Sequence, residues 1–191
     1  GEMLQKWVRW LEVLRAEKVT RILAPHVSGR TLDVGCWNGE VASRLRHVDV
    51  IGIDVTIPPD PLVEVRVFDG THLPFEAQSF DTVLCSTVLH HAKQPEQLLA
   101  EMARVGRKIV VFEDNVDRWW SLASTQGLHL ITSRLHDMPY ERAGFRTTAG
   151  WLDLFRRMGL RVTCTEFHGG TQPPWPLLRH TLFVLEPTAD R

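Results

Sequence analysis

Short runs of β-branched and apolar residues alternate with stretches of helical periodicity along this chain. Phe80 to Thr87 is almost wholly apolar after Asp81, the composition of a strand covered on both faces, as in a parallel sheet. Thr31 to Gly35, Val50 to Val55, Val63 to Phe68 and Ile109 to Phe112 supply further strands. Glu40 to Leu45 reads as helix with Val41, Ala42 and Leu45 on one side. Pro95 opens another helix, whose Leu98, Leu99, Met102 and Val105 form an apolar stripe that Gly106 ends. Thr148 can cap a third, with Trp151, Leu152, Leu154, Phe155 and Met158 on its inner face and Gly159 at its end. Parallel neighbours need long crossovers, so the class is α/β with helices on both faces of the sheet. Arg161 to Phe167 and Thr181 to Leu185 read as a closing strand pair.

At 191 residues the chain suits one domain, 1–191. Residues 1–28 form an N-terminal helix carrying Leu4, Trp7, Val8, Leu11 and Leu14, either a core helix or a lid, stopped by Pro25 and Gly29. Residues 115–147 lose the periodicity and are expected as a cap insertion, with a short helix around Trp119 to Thr125. Lys and Arg number 22 against 23 Asp and Glu, so no global field draws in nucleic acid or anionic lipid. No apolar run approaches the roughly 20 residues that cross a bilayer, and charges at Glu2, Lys6 and Arg9 interrupt the N-terminus; the expected compartment is the cytoplasm. Cys36, Cys85 and Cys164 are odd in number and lack a CxxC pair, which argues for reduced thiols, without a disulfide framework or a structural zinc site.

In an open parallel sheet, ligands bind beyond the carboxyl ends of the strands. Leu32-Asp33-Val34-Gly35-Cys36-Trp37-Asn38-Gly39 runs from the first strand towards a helix, and its glycines allow a tight turn beside a ligand. A dinucleotide fingerprint would need further glycines where Trp37 and Glu40 stand, which disfavours NAD. Asp54, ending the second strand, can accept both hydroxyls of a ribose and would repel a phosphate. Asp33 adds negative charge that attracts an ammonium or sulfonium group. Asp69-Gly70-Thr71, after the third strand, offers a carboxylate for an exocyclic amine and backbone donors for an adenine nitrogen. Three acidic strand ends together favour a cationic nucleoside.

With LDVGCWNG at 32–39, GIDV at 52–55, DGTHLPFEAQSFD at 69–81 and VLHH at 88–91, the chain resembles the class I S-adenosylmethionine-dependent methyltransferases of the methyltransferase domain 11 type. The resemblance implies a three-layer, Rossmann-like doubly wound sheet of seven mostly parallel strands with one antiparallel strand near its edge. It implies S-adenosylmethionine as cofactor, with Asp33, Gly35 and Gly39 at the methionine end, Asp54 at the ribose and Asp69 at the adenine. Cys36, Trp37, Val55, Gly70, Thr71 and Ser86 complete the expected cofactor contacts. Trp37 stands where the family's loop usually carries its middle glycine, which places an indole beside the cofactor's expected path.

The expected reaction is in-line methyl transfer to a small molecule, with apolar or aromatic character suggested by seven tryptophans against one tyrosine. His91, Glu113 and Tyr140 are the candidates for accepting a proton from the acceptor. No HxxxH or HExxH spacing accompanies His90 and His91, so no metal is expected. The rival readings are a cofactor-binding module without catalysis and, less favoured, an RNA methyltransferase using Arg134, Arg142, Arg146, Arg156 and Arg157. The expected oligomeric state is monomer or homodimer.

Overall fold

The structure, a computed structural model, describes residues 2–135, 144–169 and 178–188. Helix α1 (Glu2–Leu23) runs through a single 3-10 turn, Ala24–His26, into strand β1 (Arg30–Val34). Strands β2 (Asp49–Asp54), β3 (Val65–Val67) and β4 (Phe80–Ser86) follow, then α2 (Pro95–Val105) and β5 (Gly106–Asp114). Helices α3 (Trp119–Leu135) and α4 (Thr148–Arg157) lead to β6 (Leu160–Gly169) and β7 (Arg179–Pro187).

The seven strands form one sheet in the order β3-β2-β1-β4-β5-β7-β6. Pairings from β3 to β5 are parallel, while β7 runs antiparallel to both β5 and β6. One reversed strand, second from the edge, therefore sits in an otherwise parallel sheet, as the family resemblance implies. Strand alternation sorts the core. Val83, Cys85, Ile109 and Val111 point into one cluster with Leu98, Leu99 and Met102 of α2 and Trp151, Leu154 and Phe155 of α4. Leu84, Val110 and Phe112 point the other way, against Val19 and Leu23 of α1. These are the two helical layers.

Several elements differ from expectation. Glu40 to Leu45 holds only a 3-10 turn, Ala42–Arg44, because Glu40 is drawn into a cluster in which it pairs with both Arg44 and Arg9 of α1. Val63 to Phe68 pairs only over Val65–Val67, a short edge strand with exposed Arg66 and Val67. The segment expected as a loop with a short helix contains a 17-residue helix, α3. Gly106 needs no turn before β5: it already pairs with Phe80, and a Cβ there would meet Val83 Cγ2 at 2.4 Å.

Candidate functional site

Strand β1 delivers buried Asp33 and then turns sharply. Gly35 takes φ 72° and donates its amide to the Ile53 carbonyl at 2.8 Å, while any Cβ would collide with Val88 at 2.4 Å. The chain stays left-handed at Trp37 (φ 49°) and returns there at Gly39 (φ 79°). Asp54, at the end of the neighbouring strand, fixes this loop. Its Oδ2 accepts the Trp37 amide at 2.8 Å and its Oδ1 the Val55 amide at 2.7 Å. A non-glycine residue in this conformation costs on the order of 1–3 kcal/mol, and the buried Asp54 carboxylate compensates through a charge-assisted bond.

The loop borders a cavity of about 470 Å³, within the range of small-molecule sites. Asp33, Gly35, Cys36, Trp37 and Asn38 form one wall, Ser86, Thr87 and Val88 another, and Glu12, Arg15 and Ala16 of α1 lie over it. Trp37 is among the lining residues and is 51% exposed. Thr87, on the other wall, is also left-handed, at φ 57°. For a β-branched side chain this is an outlier of the kind that accumulates at working sites. Its hydroxyl donates to the Ser86 carbonyl at 2.7 Å and accepts from Arg15 Nη2 at 3.0 Å.

Two charges at this cavity are poorly compensated. Burial, reinforced by Asp54, pushes the Asp33 carboxyl up to about 7, and no described residue hydrogen-bonds it. Arg15 is half-buried, its Nε is shut off from solvent with no hydrogen-bond partner among the described residues, and desolvation lowers its pKa despite Asp114 and Glu12. A ligand carrying both a cationic and an anionic group fits that pair.

The expected site residues separate into three groups. Asp33, Gly35, Cys36, Trp37 and Ser86 line the cavity; Asp54 and Gly39 hold its loop. Val55, Asp69, Gly70 and Thr71 lie outside the cavity lining, and Asp69 is exposed. Its Oδ1 accepts the Thr71 and His72 amides, each at 2.7 Å, and its Oδ2 meets His72 Nδ1 at 2.9 Å. These bonds hold its carboxyl down to about 2. The candidate proton acceptors differ in their surroundings. Glu113 is fully buried, where Oε1 takes the Val88 and Leu89 amides at 3.0 and 2.7 Å and Oε2 pairs with His90 Nδ1. His91 is exposed beside His90, with ring centroids 4.1 Å apart. Tyr140 lies outside the described residues.

His90 itself, which sequence pattern did not favour, has Nε2 at 3.6 Å from Asp114, and Asp114 meets His180 at 3.1 Å. Burial opposes charge on His90, but Glu113 and Asp114 outweigh it and raise its basicity. Burial and the neighbouring carboxylates raise the Cys36 and Cys85 thiols, so neither is a poised nucleophile. Arg15 and Thr87 also escaped the pattern. Arg15 had a faint signal, a cation inside the apolar stripe of α1, whereas the Thr87 backbone conformation leaves no trace in residue type.

Residues 32–112 match the family model described as methyltransferase domain. The resemblance drawn from the motifs is borne out. The phosphatidylethanolamine N-methyltransferase of Cereibacter sphaeroides is 33% identical over 110 residues, covering 49% of this chain and 54% of that protein. The tRNA U34 carboxymethyltransferase of Methylococcus capsulatus is 33% identical over 108 residues, covering 49% of this chain and 33% of that protein. The chain thus spans about half or less of the length of these curated relatives. Among solved structures, a Thermotoga maritima protein described as a SAM-dependent methyltransferase, possible histamine N-methyltransferase, aligns with TM-score 0.65 at 19% identity, covering 98% of this chain and 97% of that one. Magnesium protoporphyrin IX methyltransferase from Synechocystis, solved with bound SAH, aligns with TM-score 0.62 at 15% identity, covering 97% and 87%. At such identities the likeness is one of fold. The named acceptors include a lipid and a tRNA, so an expectation that nucleic acid is not an acceptor gains no support from the relatives.

Proposed function

We propose that this chain, whose residues 32–112 carry a methyltransferase domain of the class I, S-adenosylmethionine-dependent type, transfers a methyl group from that cofactor to a small molecule of apolar or aromatic character. The observation that carries the reading is the juxtaposition, in one cavity, of a buried carboxyl with no hydrogen bond from any described residue, Asp33, and a half-buried guanidinium whose sealed Nε has no partner among the described residues, Arg15. The methionine end of the cofactor presents an ammonium and a carboxylate, and the two residues match these charges. Arg15 would hold the carboxylate, and Asp33 the ammonium and the nearby sulfonium.

Gly35 and Gly39 keep the loop clear of that end. Asp54, with both oxygens already oriented by the Trp37 and Val55 amides, retains lone pairs for the ribose hydroxyls. Asp69 and the Gly70-Thr71 turn stand one strand further out, where the Asp69 Oδ2 would meet the adenine amine, and Val55 would pack on the ring. Bound there, the cofactor supplies a methyl electrophile. The protein aligns the acceptor atom with it, excludes water and, for weakly acidic acceptors, takes up a proton. His91 is the accessible group for that last role among the described residues, since Glu113 is committed to His90 and two amides.

Support for a small acceptor over RNA comes from the arginines. Arg146 faces Glu96 at 3.5 Å, and Arg156 and Arg157 both contact Asp153, so these cations are paired rather than arrayed along a groove. The domain reading is a single unit over 1–191 with the 115–147 segment over the acceptor side. No described helix is long and apolar enough to cross a membrane.

Calorimetric titration with S-adenosylmethionine, followed by incubation with the labelled cofactor and fractionated metabolites, tests the reading. Saturable binding that Asp54→Ala and Arg15→Ala weaken, with a labelled organic product, is expected. Binding without any labelled product would support the non-catalytic module, a labelled RNA fraction would redirect the acceptor class, and failure to bind would remove all three.

A further inference from the structure

Away from that cavity, β6 carries the pattern Cys164-x-Glu166-x-His168, whose period of two puts the three side chains on one face of the strand. His26, closing the 3-10 turn after α1, comes to the same place. His26 Nε2 stands 3.3 Å from Glu166 Oε1, and Cys164 Sγ stands 3.5 Å from the same oxygen. One ligand atom from each of His26, Cys164 and Glu166 lies within 4.8 Å of the others. Behind them, His168 Nε2 lies 3.2 Å from the other oxygen of Glu166.

From these four residues we infer a divalent transition-metal site, best suited to zinc, that ties the base of α1 to β6. Zinc bonds of about 2.3 Å to sulfur and about 2.0–2.2 Å to nitrogen and oxygen, at tetrahedral angles, separate N from O by about 3.3–3.4 Å and S from O by about 3.5–3.6 Å. The separations of 3.3 and 3.5 Å match two edges of such a tetrahedron, and the third, between His26 and Cys164, lies within 4.8 Å. A mixed sulfur, nitrogen and oxygen set selects zinc over calcium or magnesium, which require oxygen cages. His26, Cys164 and Glu166 are the ligands. His168 is a positioning residue that holds the carboxylate, as partners of metal-bound carboxylates commonly do.

Three protein donors leave a fourth position, and the shallow cavity in front of it also contains Lys18 and Arg21. These cations weaken the field for a bare metal ion but favour an anionic fourth ligand, such as hydroxide. Binding releases the proton that Cys164 otherwise shares with Glu166, since the thiolate is the ligand. No CxxC or HxxxH spacing announces the site, because residue 26 and residues 164–168 meet only through the packing of α1 and its 3-10 turn on the sheet.

The test is titration of the reduced, metal-free protein with Co²⁺ and then Zn²⁺ against a chromophoric chelator. Stoichiometric uptake, a thiolate-to-cobalt charge-transfer band and a rise of the melting midpoint are expected. Cys164→Ser should abolish the band, and His26→Ala should weaken zinc binding by at least about 100-fold. His168→Ala should weaken it by about 10–100-fold with the band retained. Circular dichroism and the metal-free melting midpoint establish that each variant folds, as substitutions at these partly exposed side chains allow. The absence of stoichiometric uptake, a band that survives Cys164→Ser, or affinity indifferent to His26→Ala would each show a hydrogen-bonded surface network only. Binding of S-adenosylmethionine is independent of this result.

Discussion

Asp33 and Asp69 are the same residue type at equivalent stations, each in the region following or ending a parallel strand on the ligand-facing edge, yet their electrostatics are opposite. Asp33 is buried, with no hydrogen bond from any described residue, and its carboxyl rises to about 7. Asp69 is exposed, accepts two amides and an imidazole, and falls to about 2. The difference shows that an acidic strand end is not one kind of feature. Asp69 is already satisfied by its turn, and its charge is fixed. No described residue gives Asp33 a counter-charge, so a cationic ligand that provides one receives the full benefit of a low-dielectric surrounding.

Removing the charge at the buried position should break this contrast most clearly. Asp33→Asn is expected to weaken S-adenosylmethionine binding by about 10–100-fold at pH 8, the worth of a charged hydrogen bond, as read by calorimetry. A loss below threefold would mean that the carboxyl is not the ammonium partner. Next in size is a pH effect. If binding requires ionised Asp33, affinity should be about tenfold weaker at pH 6 than at pH 8, and Asp33→Asn should flatten that slope.

The same group also acts on stability without ligand. Its folded value of about 7 lies above the ordinary 3.8, so the folded protein keeps a proton that the unfolded chain releases between those values. This group's contribution to stability is therefore greatest below pH 4 and declines as pH rises through that window. Comparing melting midpoints of wild type and Asp33→Asn across the window isolates this decline. Trp37→Gly should raise the melting midpoint by about 2–4 °C if it relieves about 1 kcal/mol of left-handed strain, because the amide bonded to Asp54 remains. Asp69→Asn should have the smallest effect, about threefold or less on affinity, since Asp69 is exposed and water competes for any contact it makes with the adenine amine. A larger loss than for Asp33→Asn would invert the comparison.

Much of this molecule was legible in residue order. Apolar runs fixed the strands because a parallel strand is covered on both faces, and the stripes of α2 and α4 showed their buried sides through the 3.6-residue period. The glycine loop and Asp54 were recognisable because a sharp turn after a buried strand demands particular residues. Helical pattern alone misplaced Glu40 to Leu45, where contacts with Arg9 and Arg44 override local propensity. It also missed most of α3, whose apolar residues form no clean stripe.

The proton-accepting candidates show where such reading stops. Glu113 and His91 looked equivalent as polar residues beyond strand ends, but Glu113 closes a buried pair with His90 while His91 faces solvent. Sequence by itself determined the α/β alternation, the acidic strand ends and the resemblance to a family, all of which rest on local pattern. Tertiary structure alone decided which carboxylate lacks a partner, that Arg15 reaches the cavity, that Thr87 is left-handed, and that His26 meets Cys164 and Glu166. The physical reason is that charge state and ligand geometry depend on burial and distance between segments far apart in the chain, quantities that residue order does not contain.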